Sequence, residues 1–431
     1  MTTTPATVPV RAWVVTAAGT VVNLCLGILY AWSVWKAALV PRDTSLYGTP
    51  MTGLNSGWTY LTDAEGTWAY AICGFTFALC MIPGGRIQDR YGAKTGATLG
   101  GLFLATGCVV AGLMQSYLGL VLGFGLLGGI GMGLGYAAAT PAAVKWFHSS
   151  RRGLIVGLVV AGYGAAAIYI APLAGYLIAE HGLTASFLTL GVMFAVVVVV
   201  AGQFLTTPPP GYVAAVPARV ATPAQTRAAS AADYSARQML QTWQFYALVF
   251  LFVGSAQAGL LVIANAKSLL SDVAGTTGFF ADNAWILVTF GGFVNAAGRV
   301  GTGRYSDRTG RLNAYAINGI VSAACLFAAP WVIAAQNVPL LFVVLGIMFW
   351  QYGGTLAVMP AVTADYFGSK NLGLNYGLVF VGWGIAFFVP QLAAYIKGAT
   401  GNLDIAFYLS GGLLLMAVVA SRAIRKPGAV A

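Results

Sequence analysis

Charge is scarce in this sequence. Only 8% of its 431 residues are Asp, Glu, Lys or Arg, while 58% are hydrophobic; a soluble domain carries about 25% charged residues. So few charges cannot cover a water-facing surface, which excludes a soluble enzyme or binding module. Histidine is almost missing. His148 and His181 both fall at predicted membrane surfaces, and neither has the Ser, Asp or metal-ligand neighbours that catalysis within a bilayer requires. The sequence is therefore not read as an enzyme, and no metal or cofactor is expected. The five cysteines (Cys25, Cys73, Cys80, Cys108, Cys325) have no C-x-x-C spacing and lie inside apolar runs, so neither a disulfide framework nor a zinc site is indicated. All eleven acidic residues fall at the ends of apolar runs or between them. A pump for lipophilic cations would need an acid within a span, and this pattern offers none.

Long apolar runs take the place of charge. A helix needs about 20 apolar residues to cross a hydrocarbon core of about 30 Å. Twelve such runs occupy approximately 12–35, 67–85, 95–116, 118–144, 153–179, 184–206, 242–265, 283–303, 313–335, 338–362, 373–396 and 404–424. Backbone groups in lipid find no water, so the runs must be helices or strands of a closed barrel. They lack period-two alternation, which excludes the barrel. The fold class is all-α integral membrane with twelve transmembrane helices. The first run begins after Arg11, is too long for a signal-peptide core and is followed by no small-residue cleavage site, so it reads as the first span.

The net charge of +11 is distributed unevenly. Of the 22 Lys and Arg, 17 fall on the side of the predicted N-terminus, among them Arg86, Arg90, Lys94, Arg151, Arg152, Arg304, Arg308, Arg311, Arg422, Arg425 and Lys426; Lys36, Arg42, Lys267 and Lys397 fall on the other. The positive-inside rule then places both termini in the cytoplasm, in a bacterial inner membrane. These charges sit in short turns and form no continuous stripe, so a nucleic-acid partner is not expected. The expected partners are membrane lipid and a small solute, and a monomer is anticipated.

Residues 207–238 break the apolar pattern with Pro208, Pro209 and Pro210 followed by Ala, Thr, Ser and Arg, the composition of a linker. This divides the chain into a six-helix bundle over 1–206, a cytoplasmic linker over 207–238 and a second bundle over 239–431. The halves echo each other. Gly85, Asp89 and Arg90 after the second run recur as Gly303, Asp307 and Arg308 after the eighth. In each copy the glycines permit close approach or positive φ, and the Asp and Arg can latch neighbouring helix ends on the cytoplasmic side when the protein faces outward. The 56 glycines include Gly125, Gly128, Gly129, Gly131, Gly133 and Gly135 in the fourth run, a small-xxx-small pattern that lets helices pack closely in lipid. Gly157, Gly162, Gly164 and Pro172 mark the fifth. The stretch 41–62, with Tyr47, Trp58 and Tyr60, reads as a loop without an assigned role.

Arg299 is the one basic residue read as lying inside a span. Burying an ionised side chain costs about 2.5–3.5 kcal/mol on insertion scales, which makes it a functional candidate. With no carboxylate in the bundle to neutralise it, an anionic substrate would complete the pair in bidentate geometry. Asn295, one turn earlier, would orient the guanidinium or the anion. Tyr30, Tyr136 and Tyr352 lie at mid-span beside glycines, where a phenol supplies both a hydrogen bond and an apolar wall.

The repeated glycine, Asp and Arg stretches resemble the signature of the major facilitator superfamily. Gly27-Ile28-Leu29-Tyr30-Ala31-Trp32-Ser33, Ala161-Gly162-Tyr163-Gly164, Met239 to Phe245 with Gly259 to Asn265, Gly353-Gly354 through Pro360 to Gly368, and Asn375-Tyr376-Gly377 resemble its oxalate/formate antiporter family, a close relative of the monocarboxylate transporters. The resemblance implies two pseudo-symmetric six-helix bundles, an essential arginine at Arg299 and an aromatic cage at Tyr30, Tyr136 and Tyr352. Animal monocarboxylate carriers have an aspartate at the position of Asn295. One departure bears on the substrate: oxalate carriers place a lysine eight residues after the Asn of Asn-Tyr-Gly, and here Trp383 stands there. One arginine balances one carboxylate, so the expected substrate is a small monocarboxylate such as lactate, pyruvate, formate or acetate, with Trp383 as an apolar wall. Coupling to protons by symport is the expectation, with anion exchange the alternative.

Overall fold

The structure is a computed structural model that describes residues 8–148, 152–209, 211, 212, 214, 233–368 and 371–427. Most of the 207–238 linker lies outside them, as do Arg151 and the side chain of Arg152. Among the described residues the regular structure is helical, with one isolated antiparallel bridge, Pro50 to Thr59.

Among the described residues ten helical segments are long and apolar enough to cross a membrane. They give α1 (Val10–Leu39), α2 (Asp63–Tyr91), α3 (Ala93–Met114), α4 (Tyr117–Val144), α7 (Trp243–Ala274), α9 (Arg311–Ala334), α10 (Val338–Phe367), α11 (Leu372–Thr400) and α12 (Asp404–Ala423), with the segment Arg152–Gln203 as the tenth. That segment holds two spans, α5 (152–181) and α6 (183–203), because the chain turns back at Gly182, whose φ of 84° few side chains tolerate. The twelfth span, α8 (Trp285–Thr309), carries Arg299, Arg304, Asp307 and Arg308 and is less apolar for that reason. With twelve crossings, both described chain ends and the linker share one face of the molecule, here the terminal face; the opposite one is the far face.

Several helices run past the ends of the apolar runs. The spans α2 and α8 continue through Gly85–Arg90 and Gly303–Arg308, so both motif copies form the last helical turns, not loops. Each stops at a glycine with positive φ, Gly92 at 86° and Gly310 at 90°. Gly85 has nothing within 4 Å of where a Cβ would stand; its neighbour Gly84 makes the close approach, since a Cβ there would stand 3.0 Å from the Gly133 carbonyl oxygen of α4. Arg90 lies over the Tyr91 ring, and Asp307 pairs with Arg311 four residues on. Among the described residues neither motif bridges the two halves.

The glycine row of α4 works as its spacing suggests. A Cβ on Gly129 would stand 2.6 Å from the Cys73 carbonyl oxygen of α2. Helices gain no hydrophobic drive from lipid, so this backbone-to-backbone approach is what packs α2, α3 and α4 into one bundle. Across the halves α5 packs on α8, α2 on α11, and the far end of α1 on α7.

Lys36 corrects the reading of the sequence. Assigned to the far-face loops, it lies inside α1, is only 4% exposed, and pairs with Asp63 at 3.2 Å. Arg299 is therefore not the only buried cation. The helix runs on past the end of the apolar run at residue 35 because a neighbouring carboxylate allows the lysine to be buried.

Candidate functional site

Arg299 projects from α8 between the halves and is 5% exposed. Its Nε donates to Asn295 Oδ1 at 3.2 Å, one turn earlier on the same face. Nη1 donates to the Val160 carbonyl of α5 at 3.3 Å, and Nη2 to Tyr30 Oη of α1 at 3.2 Å. All three acceptors are neutral. No carboxylate pairs with this guanidinium among the described residues, and the three bonds use only part of its fork of N–H donors.

Glycine makes room for it. A Cβ on Gly164 of α5 would stand 3.1 Å from Arg299 Nε, so the Gly162-Tyr163-Gly164 stretch lets α5 pass beside the guanidinium. On the other side, Gly353 of α10 packs on the Asn295 backbone. The arginine thus sits where two helices approach closely, and its side chain is held from both halves.

A hydroxyl chain leads away from it. Tyr30 Oη meets Tyr352 Oη at 2.9 Å, and Trp383 Nε1 donates to Tyr352 Oη at 2.8 Å. Trp383 therefore does more than supply an apolar wall, since its indole N–H holds the phenol of Tyr352 in place. Tyr30 also meets Tyr163 and Tyr352 edge to face, with centroids 5.1 and 5.7 Å apart. Tyr136 is set one layer further: its ring meets Tyr163 at 5.4 Å and Phe77 at 5.4 Å, within electrostatic reach of Arg299. All six residues expected from the sequence gather in this region, namely Arg299, Asn295, Tyr30, Tyr136, Tyr352 and Trp383.

Reading the sequence missed Tyr163, Phe77 and Phe380, which complete the aromatic floor. Phe77 meets Trp383 at 5.0 Å, and Phe380 stacks on Trp383 at 4.7 Å and on Tyr136 at 6.4 Å. Tyr163 stands within a stretch already singled out for its glycines, and that was the available signal. Asn375 of the Asn-Tyr-Gly stretch serves elsewhere. It is buried, and its amide donates to the Tyr234 carbonyl at 3.0 Å, fastening the end of the linker to α11.

A void of about 10 Å³ bounded by Tyr30, Ala167, Ile263, Gly292, Asn295 and Phe349 adjoins Tyr30 and Asn295, two of the groups that hold Arg299, with room for about one water molecule. Among the described residues, these hydrogen bonds and ion pairs join the halves at the level of Arg299 or toward the far face: Lys36 to Asn265, Lys397 to Asp63, Trp68 to Tyr395, Gln391 to the Ala64 carbonyl, and Arg42 to Asp272. The far face is closed in this state.

The Major Facilitator Superfamily profile matches residues 44–350. The oxalate:formate antiporter of Oxalobacter formigenes is 25% identical, over 75% of this chain and 78% of its own length. Human monocarboxylate transporter 12 is 25% identical, over 84% of this chain and 73% of its own length. Among solved structures, the xylose transporter XylE from E. coli, in a partially occluded inward open conformation, superimposes with a TM-score of 0.64 at 12% identity, covering 95% of this chain and 98% of that one. Twelve helices in two halves, a repeated glycine, Asp and Arg motif and a central site built from both halves agree with the profile: the chain belongs to the Major Facilitator Superfamily and is a multi-pass membrane transporter, not an enzyme.

Proposed function

We propose that this transporter carries a small monocarboxylate, of the size of formate, acetate, lactate or pyruvate, by alternating access of its two halves around Arg299. One observation carries the reading: a guanidinium 5% exposed, held by three neutral acceptors and by no carboxylate. A cation so placed lacks a counter-charge, and a carboxylate supplies it with two parallel N–H···O bonds. A second negative charge on the substrate would find Trp383 where a second cation would be needed. Leaving it unpaired costs several kcal/mol in a site of low dielectric. The named activities of the antiporter and monocarboxylate relatives support the substrate class.

In this reading the terminal face is cytoplasmic, as the loop charges favour, and the substrate contacts are Arg299, Asn295, Tyr30, Tyr136, Tyr352 and Trp383. The motifs around Asp89, Arg90, Asp307 and Arg308 latch the cytoplasmic side in the opposite state. A proton accompanies the anion, passed by the hydroxyl row of Tyr30 and Tyr352, whose oxygens are 2.9 Å apart. Exchange of one anion for another is the second reading, and one observation favours it. Without an anion, Arg299 would have to cross between states with only neutral partners, which penalises the return of an empty carrier.

Proteoliposomes loaded with or without internal anion separate these readings. Labelled formate, acetate, lactate, pyruvate and oxalate are offered with and without an imposed pH gradient. Monocarboxylate uptake driven by an acid exterior into empty vesicles supports symport; uptake that requires internal anion supports exchange. Oxalate counterflow at least as fast as that of the monocarboxylates would refute the single-charge argument.

A further inference from the structure

At the far face one carboxylate joins three helices. Asp63 Oδ1 takes Lys36 Nζ of α1 at 3.2 Å, and Asp63 Oδ2 takes Lys397 Nζ of α11 at 3.0 Å. The side chains of Lys36 and Asp63 are 5% and 9% exposed, and that of Lys397 27%. Lys36 also donates to Asn265 Oδ1 of α7 at 2.8 Å. Lys36 and Asp63 belong to one half, Lys397 and Asn265 to the other. Neither the substrate site nor the repeated motifs include any of these groups.

The segment before Asp63 explains why its carboxylate stays in place. The stretch 41–62 is tied down to its own half: Trp58 is 1% exposed and donates to Thr184 Oγ1 at 2.9 Å, Asn55 Oδ1 accepts from Leu183 N at 2.8 Å, and Leu61 N bonds the Leu39 carbonyl at 2.9 Å. Thr62 and Glu65 then form a reciprocal cap at the first turn of α2. Asp63 is thereby fixed to α1–α6, and only Lys397 and Asn265 are free to leave with the other half.

We propose that Asp63 is the far-face gate residue, a carboxylate fixed to one half by Lys36 and the 41–62 loop that clamps Lys397 of the other half and holds the far face shut. The proposal rests on alternating access and is independent of which anion is carried. When the far face opens, the Lys36–Asp63 pair survives intact within its half, so the separation breaks the Lys397 and Asn265 contacts without stranding the buried carboxylate. That asymmetry makes a reversible gate of what would otherwise be a permanent staple. The other ion pair at this face among the described residues is Arg42 with Asp272, across the halves at 3.3 Å with side chains 56% and 45% exposed; Glu65 is engaged in the cap, and Asp43, Glu180, Lys267, Asp282 and Asp404, also toward this face, form no ion pair among the described residues. The Arg42–Asp272 pair is open to water and screened, so the clamp falls to Asp63 and Lys397.

Spin labels at Leu54→Cys and Phe279→Cys, both exposed positions on the far face of opposite halves, report the separation in full-length protein whose five native cysteines are replaced. Lys397→Met should raise the long-distance, far-side-open population about tenfold or more. Lys397→Arg should restore the closed distribution, and Asp272→Asn should leave it within about twofold of the parent. An unchanged distance distribution in Lys397→Met overturns the gate, as does an opening equally large in Asp272→Asn. These distances are read without substrate, so failure to find monocarboxylate uptake would count against the proposed substrate and leave this result standing.

Discussion

Tyr30 and Tyr352 meet hydroxyl to hydroxyl at 2.9 Å although they come from opposite halves of the molecule, and Tyr30 is at the same time the acceptor for Arg299 Nη2. The bond between the halves and the bond to the guanidinium therefore share one oxygen. Any anion that takes over Arg299 competes for Tyr30, and so reaches the contact that helps hold the halves together.

Tyr30→Phe should test that sharing. It removes the acceptor of Arg299 Nη2 and the partner of Tyr352 in one step, while the ring contacts to Tyr163 and Tyr352 remain. In the proposed site the Tyr30 hydroxyl also donates to the bound anion, and a hydrogen bond to a charged group contributes about 1.5–3 kcal/mol. Anion affinity should fall, with Tyr352→Phe milder because the guanidinium keeps all three of its acceptors. Initial uptake rates against substrate concentration for the two variants check the order, and Tyr352→Phe the more damaging would contradict it.

Gly164→Ala should impair transport without unfolding the protein. Its new methyl would stand 3.1 Å from Arg299 Nε and must push the guanidinium or part α5 from α8. Overpacking of this kind costs about 1–3 kcal/mol. Gly157→Ala is the control on the same helix, since nothing lies within 4 Å of its added Cβ. Uptake reduced by about tenfold in the first and unchanged in the second is the expected result, with thermal stability in detergent measured for both.

Trp383→Lys should widen the substrate range toward dianions. The new ammonium would stand beside Tyr352, where the indole N–H now donates at 2.8 Å, and would meet the second carboxylate of oxalate. The ratio of oxalate to formate counterflow should rise by about tenfold or more. A ratio that stays put would show that Trp383 does not set substrate charge.

Much of this architecture could be read directly from the residues. Twelve apolar runs foretold twelve spans, because lipid leaves the backbone no alternative to internal hydrogen bonds. Arg299 stood out for an equally simple reason: one charge amid an apolar run demands a partner. Lys36 did not stand out, because it sits three residues before the end of its helix and its partners, Asp63 and Asn265, are distant in sequence. Pairing that depends on how two halves dock leaves no local pattern. The same holds for Trp383, whose indole bond to Tyr352 joins α10 and α11, and for the 41–62 loop, whose anchors on Thr184 and Leu183 are set by tertiary packing alone. Gly85 shows the reverse limit: the motif glycine was legible, yet the close contact belongs to Gly84.

Calorimetric titration of purified protein with a monocarboxylate, wild type against Arg299→Gln, tests the substrate site most directly. Truncating one member of a buried charge pair typically costs about 2–5 kcal/mol, so affinity should drop by roughly 30-fold or more, beyond detection for a weak ligand. Equal binding by the Arg299→Gln protein would mean that the guanidinium does not hold the anion, and the proposed function would fall with it.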